Sequence, residues 1–327
     1  MDNMRESVLS EEFPFCRSIF EPPTGRFGTF DPLTLETKAL YDRYIDILSD
    51  ALTSPLYFQS LYAWNFASIN RYKIFDHHLC ITADDTMKGE IFAFPPLGEL
   101  GGKSFASAVC AILDEFEREG LLCAFHEVPG FMLPHFSAIE GYRAEAGYDR
   151  DWSEYVFTRD ALAEGIQKVG FRRARRTFER KFHPRAREIA PSDKDVVRAV
   201  TQKFFCTERN CLSCFCGCEL EVVSRIMESW DELDMKGVII ESAGEALAFG
   251  IVCFQKDTAF FISKKVRRQT RGLDAYLTTV MMDSLFDAEH RYINYSDDMG
   301  NDGLRKYKSN LAKHVLMHRY VVRLQRA

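Results

Sequence analysis

The chain has 327 residues, of which 46% are hydrophobic and 28% charged, and it carries a net charge of −6. At about 100–200 residues per domain this apolar content supplies two buried cores, and it excludes a disordered or fibrous chain. A net negative charge excludes global attraction to nucleic acid or anionic lipid, so such a partner needs a local basic patch.

Residues 1–30 are expected to form an N-terminal extension. Its start, MDNMRESVLSEEF, is acidic and lacks the basic opening and apolar stretch of a signal peptide. No apolar run approaches the ~20 residues that span a bilayer, so no integral membrane segment is expected. The expected location is the cytoplasm, with the ten cysteines reduced.

A first domain is expected over 31–160. Asp31-Pro32 is expected to cap and open a helix running through Leu52. Within it Leu33, Leu40, Tyr44, Ile47 and Leu48 recur at helical spacing. The aromatic segment LYFQSLYAWNFA reads as a second helix. His78–Ala83 and Glu90–Phe94 read as strands around a polar turn, Ser104–Glu119 as a helix stopped by Gly120, and Leu121–Val128 as a strand. A strand near Trp152–Phe157 completes this half.

A basic linker helix is expected over 161–190 and a second domain over 191–327. Lys194–Phe205 and Glu219–Leu233 read as helices, and Gly237–Ser242, Leu247–Phe254 and Thr258–Val266 as strands. The amphipathic segment Leu273–Ala288 reads as a helix, Tyr292–Ser296 as a strand and Gly303–Lys313 as a helix, before a last strand, Val315–Leu324. The halves repeat one order of elements with little shared sequence, which predicts a mixed α/β fold of two like domains.

Between the third of those strands and the amphipathic helix lies Gln269-Thr270-Arg271-Gly272-Leu273-Asp274. It resembles the (Q/R)-x-x-G-x-(G/A) loop of the GNAT superfamily of acyl-CoA-dependent N-acyltransferases. There, backbone N–H groups and the positive helix end face the pyrophosphate of the coenzyme. Gln269, Thr270, Arg271, Gly272 and Leu273 are therefore candidate coenzyme-binding residues. Asp274 departs from the pattern, because a carboxylate stands where a small residue is expected. The other reading is a plain strand–helix connection. In the first half, Gly98-Glu99-Leu100-Gly101-Gly102-Lys103-Ser104 holds the equivalent place, to cradle a pyrophosphate or to turn the chain.

Three segments together resemble soluble relatives of the phosphatidylglycerol lysyltransferase C-terminal domain family. They are LYAW followed by FPPLG, then DRDWSEYVF with the basic helix after it, and INYSDDMGNDGLRK continuing to Lys308-Ser309. The resemblance implies tandem GNAT-like acyltransferase domains. Its membrane-bound members pass an aminoacyl group from tRNA to a lipid headgroup, and no metal is implied. For this chain the expectation is an acyl or aminoacyl group taken from acyl-CoA or aminoacyl-tRNA and passed to a small-molecule amine or hydroxyl acceptor. The chain departs at Lys264-Lys265, where relatives carry a Glu-Lys pair, and in the basic helix, GFRRARRTFERKF.

Acyl transfer needs a base at the acceptor and an acid at the leaving group. Asp297 and Asp298 are candidates to activate or orient the acceptor, or to cap the next helix or shape its turn. Tyr307 is a candidate acid, or a buried aromatic. Asn294, Arg305 and Lys308 in the same segment are candidate substrate-binding residues. Arg172, Arg173 and Arg176 belong to a basic stripe that can grip phosphates of tRNA or coenzyme, or that solvates a surface helix.

Cys206, Cys211, Cys214, Cys216 and Cys218 crowd one loop. They read as structural or redox-active thiols, with metal ligation as the alternative. Function thus stands between an acyl- or aminoacyl-transferase, a non-catalytic module of the same fold binding a phosphorylated ligand or RNA, and a cysteine-loop redox or metal sensor.

Overall fold

The computed structural model describes residues 26–48, 53–85, 89–207 and 218–327. They divide into two compact units: residues up to Trp152 together with Met317–Ala327, and Ser153–Leu316.

Among the described residues of the first unit, seven strands form one mixed sheet. They are β1 (Asp31–Pro32), β2 (Ser68–Phe75), β3 (His78–Asp85), β4 (Glu90–Ala93), β5 (Phe125–Pro129), β6 (Tyr142–Tyr148) and, from the far end of the chain, β14 (Arg319–Arg326), in the order β1-β2-β3-β4-β5-β14-β6. The helices are α1 (Lys38–Ile47), α2 (Phe58–Ala63), α3 (Gly102–Arg118) and α4 (Leu133–Ser137). Strand β3 is buried on both faces, as a central strand covered by helices must be. Helix α3 buries Phe105, Ala108, Val109, Ile112 and Phe116, the 3–4 spacing of one apolar face.

The Gly98–Ser104 loop turns the chain. Glu99 O and Asp76 O lie 2.7 and 2.9 Å from the two ring nitrogens of buried His78. A Cβ on Gly98 would come within 2.9 Å of that ring, which is why glycine stands there.

The second unit repeats the design. Its strands are β7 (Glu154–Thr158), β8 (Arg185–Glu188), β9 (Lys236–Ser242), β10 (Glu245–Gln255), β11 (Thr258–Val266), β12 (Tyr292–Asn294) and β13 (His314–Met317), in the order β13-β7-β12-β11-β10-β9-β8. Its helices are α5 (Arg159–Ile166), α6 (Val169–Phe182), α7 (Lys194–Thr201), α8 (Glu219–Glu228), α9 (Leu273–Ser284) and α10 (Asp302–Leu311). Phe157, Phe178, Ile240, Val252, Leu277, Met281 and Ile293 are central to its core.

Several expectations are corrected. Asp31-Pro32 opens no helix. Pro32 has no N–H to donate and sits on an edge strand opposite Arg71, where none is needed, and helix α1 starts at Lys38 after a short 3-10 turn. The expected last strand is two strands in different sheets: β13 joins the second unit, while β14 lies between β5 and β6 in the first. Conversely, the strand near Trp152–Phe157 is β7 of the second sheet, paired with β12. The 161–190 segment is no separate linker, since α5, α6 and β8 belong to the second unit and Phe178 on α6 is fully buried.

Candidate active site

The second sheet opens at one point. Strands β11 and β12 run parallel and pair only from Thr258 with Tyr292 to Phe260 with Asn294, although β11 continues to Val266. Beyond Asn294 the chain stays with β7 instead: Tyr295 N donates to Tyr155 O at 2.9 Å and Tyr155 N to Ser296 O at 3.1 Å. The backbone after β12 therefore leaves β11, and polar side chains gather at the divergence. In open α/β sheets ligands collect at such openings near strand ends.

The loop after β12 is built by its own side chains. Asn294 is buried, donates to Glu154 Oε2 at 2.6 Å, and accepts from Ser296 N at 2.7 Å. Asp298, fully buried, accepts from Tyr155 Oη at 2.7 Å, from Gly300 N at 3.1 Å, and from Arg305 Nε and Nη2 at 3.2 and 3.1 Å. Both its oxygens are thus engaged by a guanidinium and neutral donors, which suits an anchor of the loop and leaves no lone pair directed at an acceptor. The helix cap expected of Asp297 or Asp298 is instead Asn301, whose Oδ1 accepts from Leu304 N at 3.0 Å.

Lys308 on α10 points back under this loop. Its ammonium donates to the carbonyls of Tyr295 at 2.6 Å, Asp297 at 2.5 Å and Ser296 at 3.4 Å. Burial pushes its pKa down to about 8, against the opposing pull of Asp297, Asp298 and Glu154, and Lys264 lowers it further. A lysine so placed exchanges its proton near neutral pH.

Facing it across the opening, Lys264 on β11 donates to Thr278 Oγ1 at 2.7 Å and pairs with Asp274 Oδ1 at 2.6 Å. Two of the departures from the expected patterns, Lys264 and Asp274, are therefore one ion pair. The Lys264 ammonium also lies 5.8 Å from the ring centres of both Tyr295 and Tyr307. Tyr307 Oη is buried without a hydrogen-bond partner, and burial holds its phenol well above its ordinary pKa.

Of the candidate coenzyme residues, Gln269, Thr270 and Arg271 line a cleft of about 790 Å³ with Arg267, Arg268, Thr177, Phe178, Lys181 and Phe182. Loop and basic helix thus meet in one place, among four cations and no carboxylate. Gly272 and Leu273 serve packing. A Cβ on Gly272 would collide with the Ala174 carbonyl of α6, Leu273 is buried, and its N–H is taken by Thr270 O at 3.2 Å. The cations that this loop contributes to the cleft lining are Arg267, Arg268 and Arg271.

Arg172, Arg173 and Arg176 line a shallower depression of about 440 Å³ with Val169, Glu179 and Arg180. Their helix buries Phe178 and leans Phe171 and Phe182 on the core, so the stripe is the outer face of a docked helix. The cysteine loop lies outside the described residues except at its ends. Cys218, the residue before α8, is buried. Among the described residues no cluster of His, Cys, Asp and Glu has the arrangement of a metal site, and no helix is long and apolar enough to cross a membrane.

Sequence reading missed Glu154, Tyr155 and the role of Lys264. Glu154 is a fully buried carboxylate beside the otherwise apolar run Tyr155–Phe157, a pattern that was its one visible signal.

The family described as phosphatidylglycerol lysyltransferase, C-terminal, matches residues 50–323. No curated protein matches the chain. Among solved structures, a conserved protein of unknown function from Bacteroides thetaiotaomicron VPI-5482 is similar with a TM-score of 0.82 at 20% identity, over 90% of this chain and 99% of its own. L-PGS from Bacillus licheniformis gives 0.61 at 12% identity, over 90% and 93%. A tandem GNAT protein from the clavulanic acid biosynthesis pathway gives 0.51 at 12% identity, over 90% and 98%. At such identities these likenesses speak for the fold, which is mixed α/β and GNAT-like in tandem.

Proposed function

The chain belongs to the phosphatidylglycerol lysyltransferase C-terminal family, and from that premise we propose that its second unit moves an aminoacyl or acyl group from a phosphate-bearing carrier to an amine or hydroxyl. The observation that carries this reading is Lys308, a buried amine with a pKa pulled down to about 8 beside the opening of the sheet.

In its neutral form Lys308 accepts the proton of the acceptor as that group attacks the donor carbonyl. The new C–N or C–O bond forms, the bond to the carrier's oxygen or sulfur breaks, and Lys308 returns the proton to the leaving group. Asp298, Arg305 and Tyr155 hold the loop whose carbonyls seat Lys308, and Asn294 with Glu154 fixes its start. The cationic cleft lined by Lys181, Arg267, Arg268 and Arg271 is proposed to take the carrier's phosphates, of aminoacyl-tRNA or acyl-CoA.

The test is transfer of label from aminoacyl-tRNA or from acyl-CoA to a panel of amines and alcohols, with wild type and Lys308→Met. A positioned acid–base group is worth about 10²–10⁴-fold, so the variant should lose about that much turnover while keeping its carrier affinity. Undiminished transfer by the variant removes Lys308 from the mechanism. Carrier binding with no transfer to any acceptor would favour a binding module.

A further inference from the structure

At the sheet opening, three groups remain that the transfer chemistry does not use. Tyr295 Oη and Tyr307 Oη are buried, and neither completes a hydrogen bond among the described residues, although Thr278 and Asp274 approach them. Burial holds both phenols well above their ordinary pKa, so each keeps its proton as a donor. Lys264 lies over both rings with its charge balanced by Asp274.

An unpartnered buried hydroxyl is costly to leave unsatisfied, and two at one opening mark donors awaiting an acceptor. The surroundings set the chemistry of that acceptor. Two O–H donors and an ammonium complement a carboxylate or carboxamide oxygen. The ammonium is already paired with Asp274 at 2.6 Å, so the two phenol donors carry most of the discrimination.

We propose that Tyr295 and Tyr307, beside the Lys264–Asp274 pair, form a specificity subsite for an acyl group whose side chain carries a carboxylate or carboxamide oxygen. The inference rests on the transferase reading for the step after binding, but the recognition itself is separable from turnover.

Calorimetric titration of the full chain with the amides of L-glutamate, L-glutamine, L-leucine and L-lysine measures it directly. The glutamate or glutamine compound should bind about tenfold more tightly than the leucine and lysine compounds. Tyr295→Phe and Tyr307→Phe should each weaken that binding about three- to tenfold. Neither should lower Tm, because each removes a hydroxyl with no partner in the protein. Preference for the lysine amide, no binding by any amide, or a fall in Tm with affinity unchanged would each overturn the proposal. Binding as expected by a chain that transfers nothing counts against the transferase alone.

Discussion

Arg305 grips the buried carboxylate of Asp298 through both of its oxygens, Nε on one and Nη2 on the other, at 3.2 and 3.1 Å. The pair ties the first turns of α10 to the loop after β12. Removing one member leaves the other uncompensated in the interior, which costs about 3–5 kcal/mol. Arg305→Ala should therefore unfold at markedly lower denaturant concentration than wild type, by about that amount in chemical denaturation. A change under about 1 kcal/mol would show that the pair does not hold the loop.

Lys308 makes stability depend on pH in a definite direction. Unfolded, it keeps its proton up to its ordinary 10.5, whereas folded it releases the proton near 8. Between those values the unfolded chain binds more protons, so this group makes the fold more stable as pH rises. Below about 8 both states are charged and the burial penalty is constant. Relative to Lys308→Met, wild type should gain on the order of 3 kcal/mol between pH 8 and 10.5. Parallel stability curves for the two proteins would contradict the lowered pKa.

The same residue predicts a rate profile. Turnover should climb through about pH 8 as the neutral amine accumulates, and Lys308→Arg, which cannot shed its proton, should lose that limb. A profile flat from about pH 6.5 to 9 in wild type would leave Lys308 a structural anchor only.

Gly272 combines φ of +89° with backbone contact against Ala174 of α6. Gly272→Ala should cost roughly 1–3 kcal/mol through strain and displacement of that helix. Gly170→Ala, with open space around the new methyl, is the control and should be near neutral or better. Equal thermal stability of the two variants would refute the packing role.

For the cationic cleft, the informative residues are Lys181 and Arg271, which make no ion pair among the described residues. Changing both to Ala should weaken retention on tRNA or coenzyme A and reduce the salt slope for tRNA by about 1 per cation removed. The triple change at Arg172, Arg173 and Arg176 tests the neighbouring stripe. Loss there with none at Lys181 and Arg271 would move the carrier site to the outer face of α6.

Element order was legible in the sequence because it rests on local signals. The short apolar runs of Gly237–Ser242 and Leu247–Phe254, the helical spacing from Ser104, and Gly272 before an apolar helix are each readable within a dozen residues. Asn294 to Lys308 stood out as one polar segment for the same reason, and its Asn294, Asp297, Asp298, Arg305 and Lys308 do converge on one loop. Partners distant along the chain were not legible. Nothing local says that β14 joins the first sheet while β13 joins the second, that Glu154 meets Asn294 across 140 positions, or that Lys264 cancels Asp274. Hydrogen-bond pairing and burial decide those relations, and both depend on which surfaces meet once the chain has folded. Residue pattern thus determined what the elements are, and tertiary contact alone decided which lysine sits buried beside the sheet opening with its proton loosened.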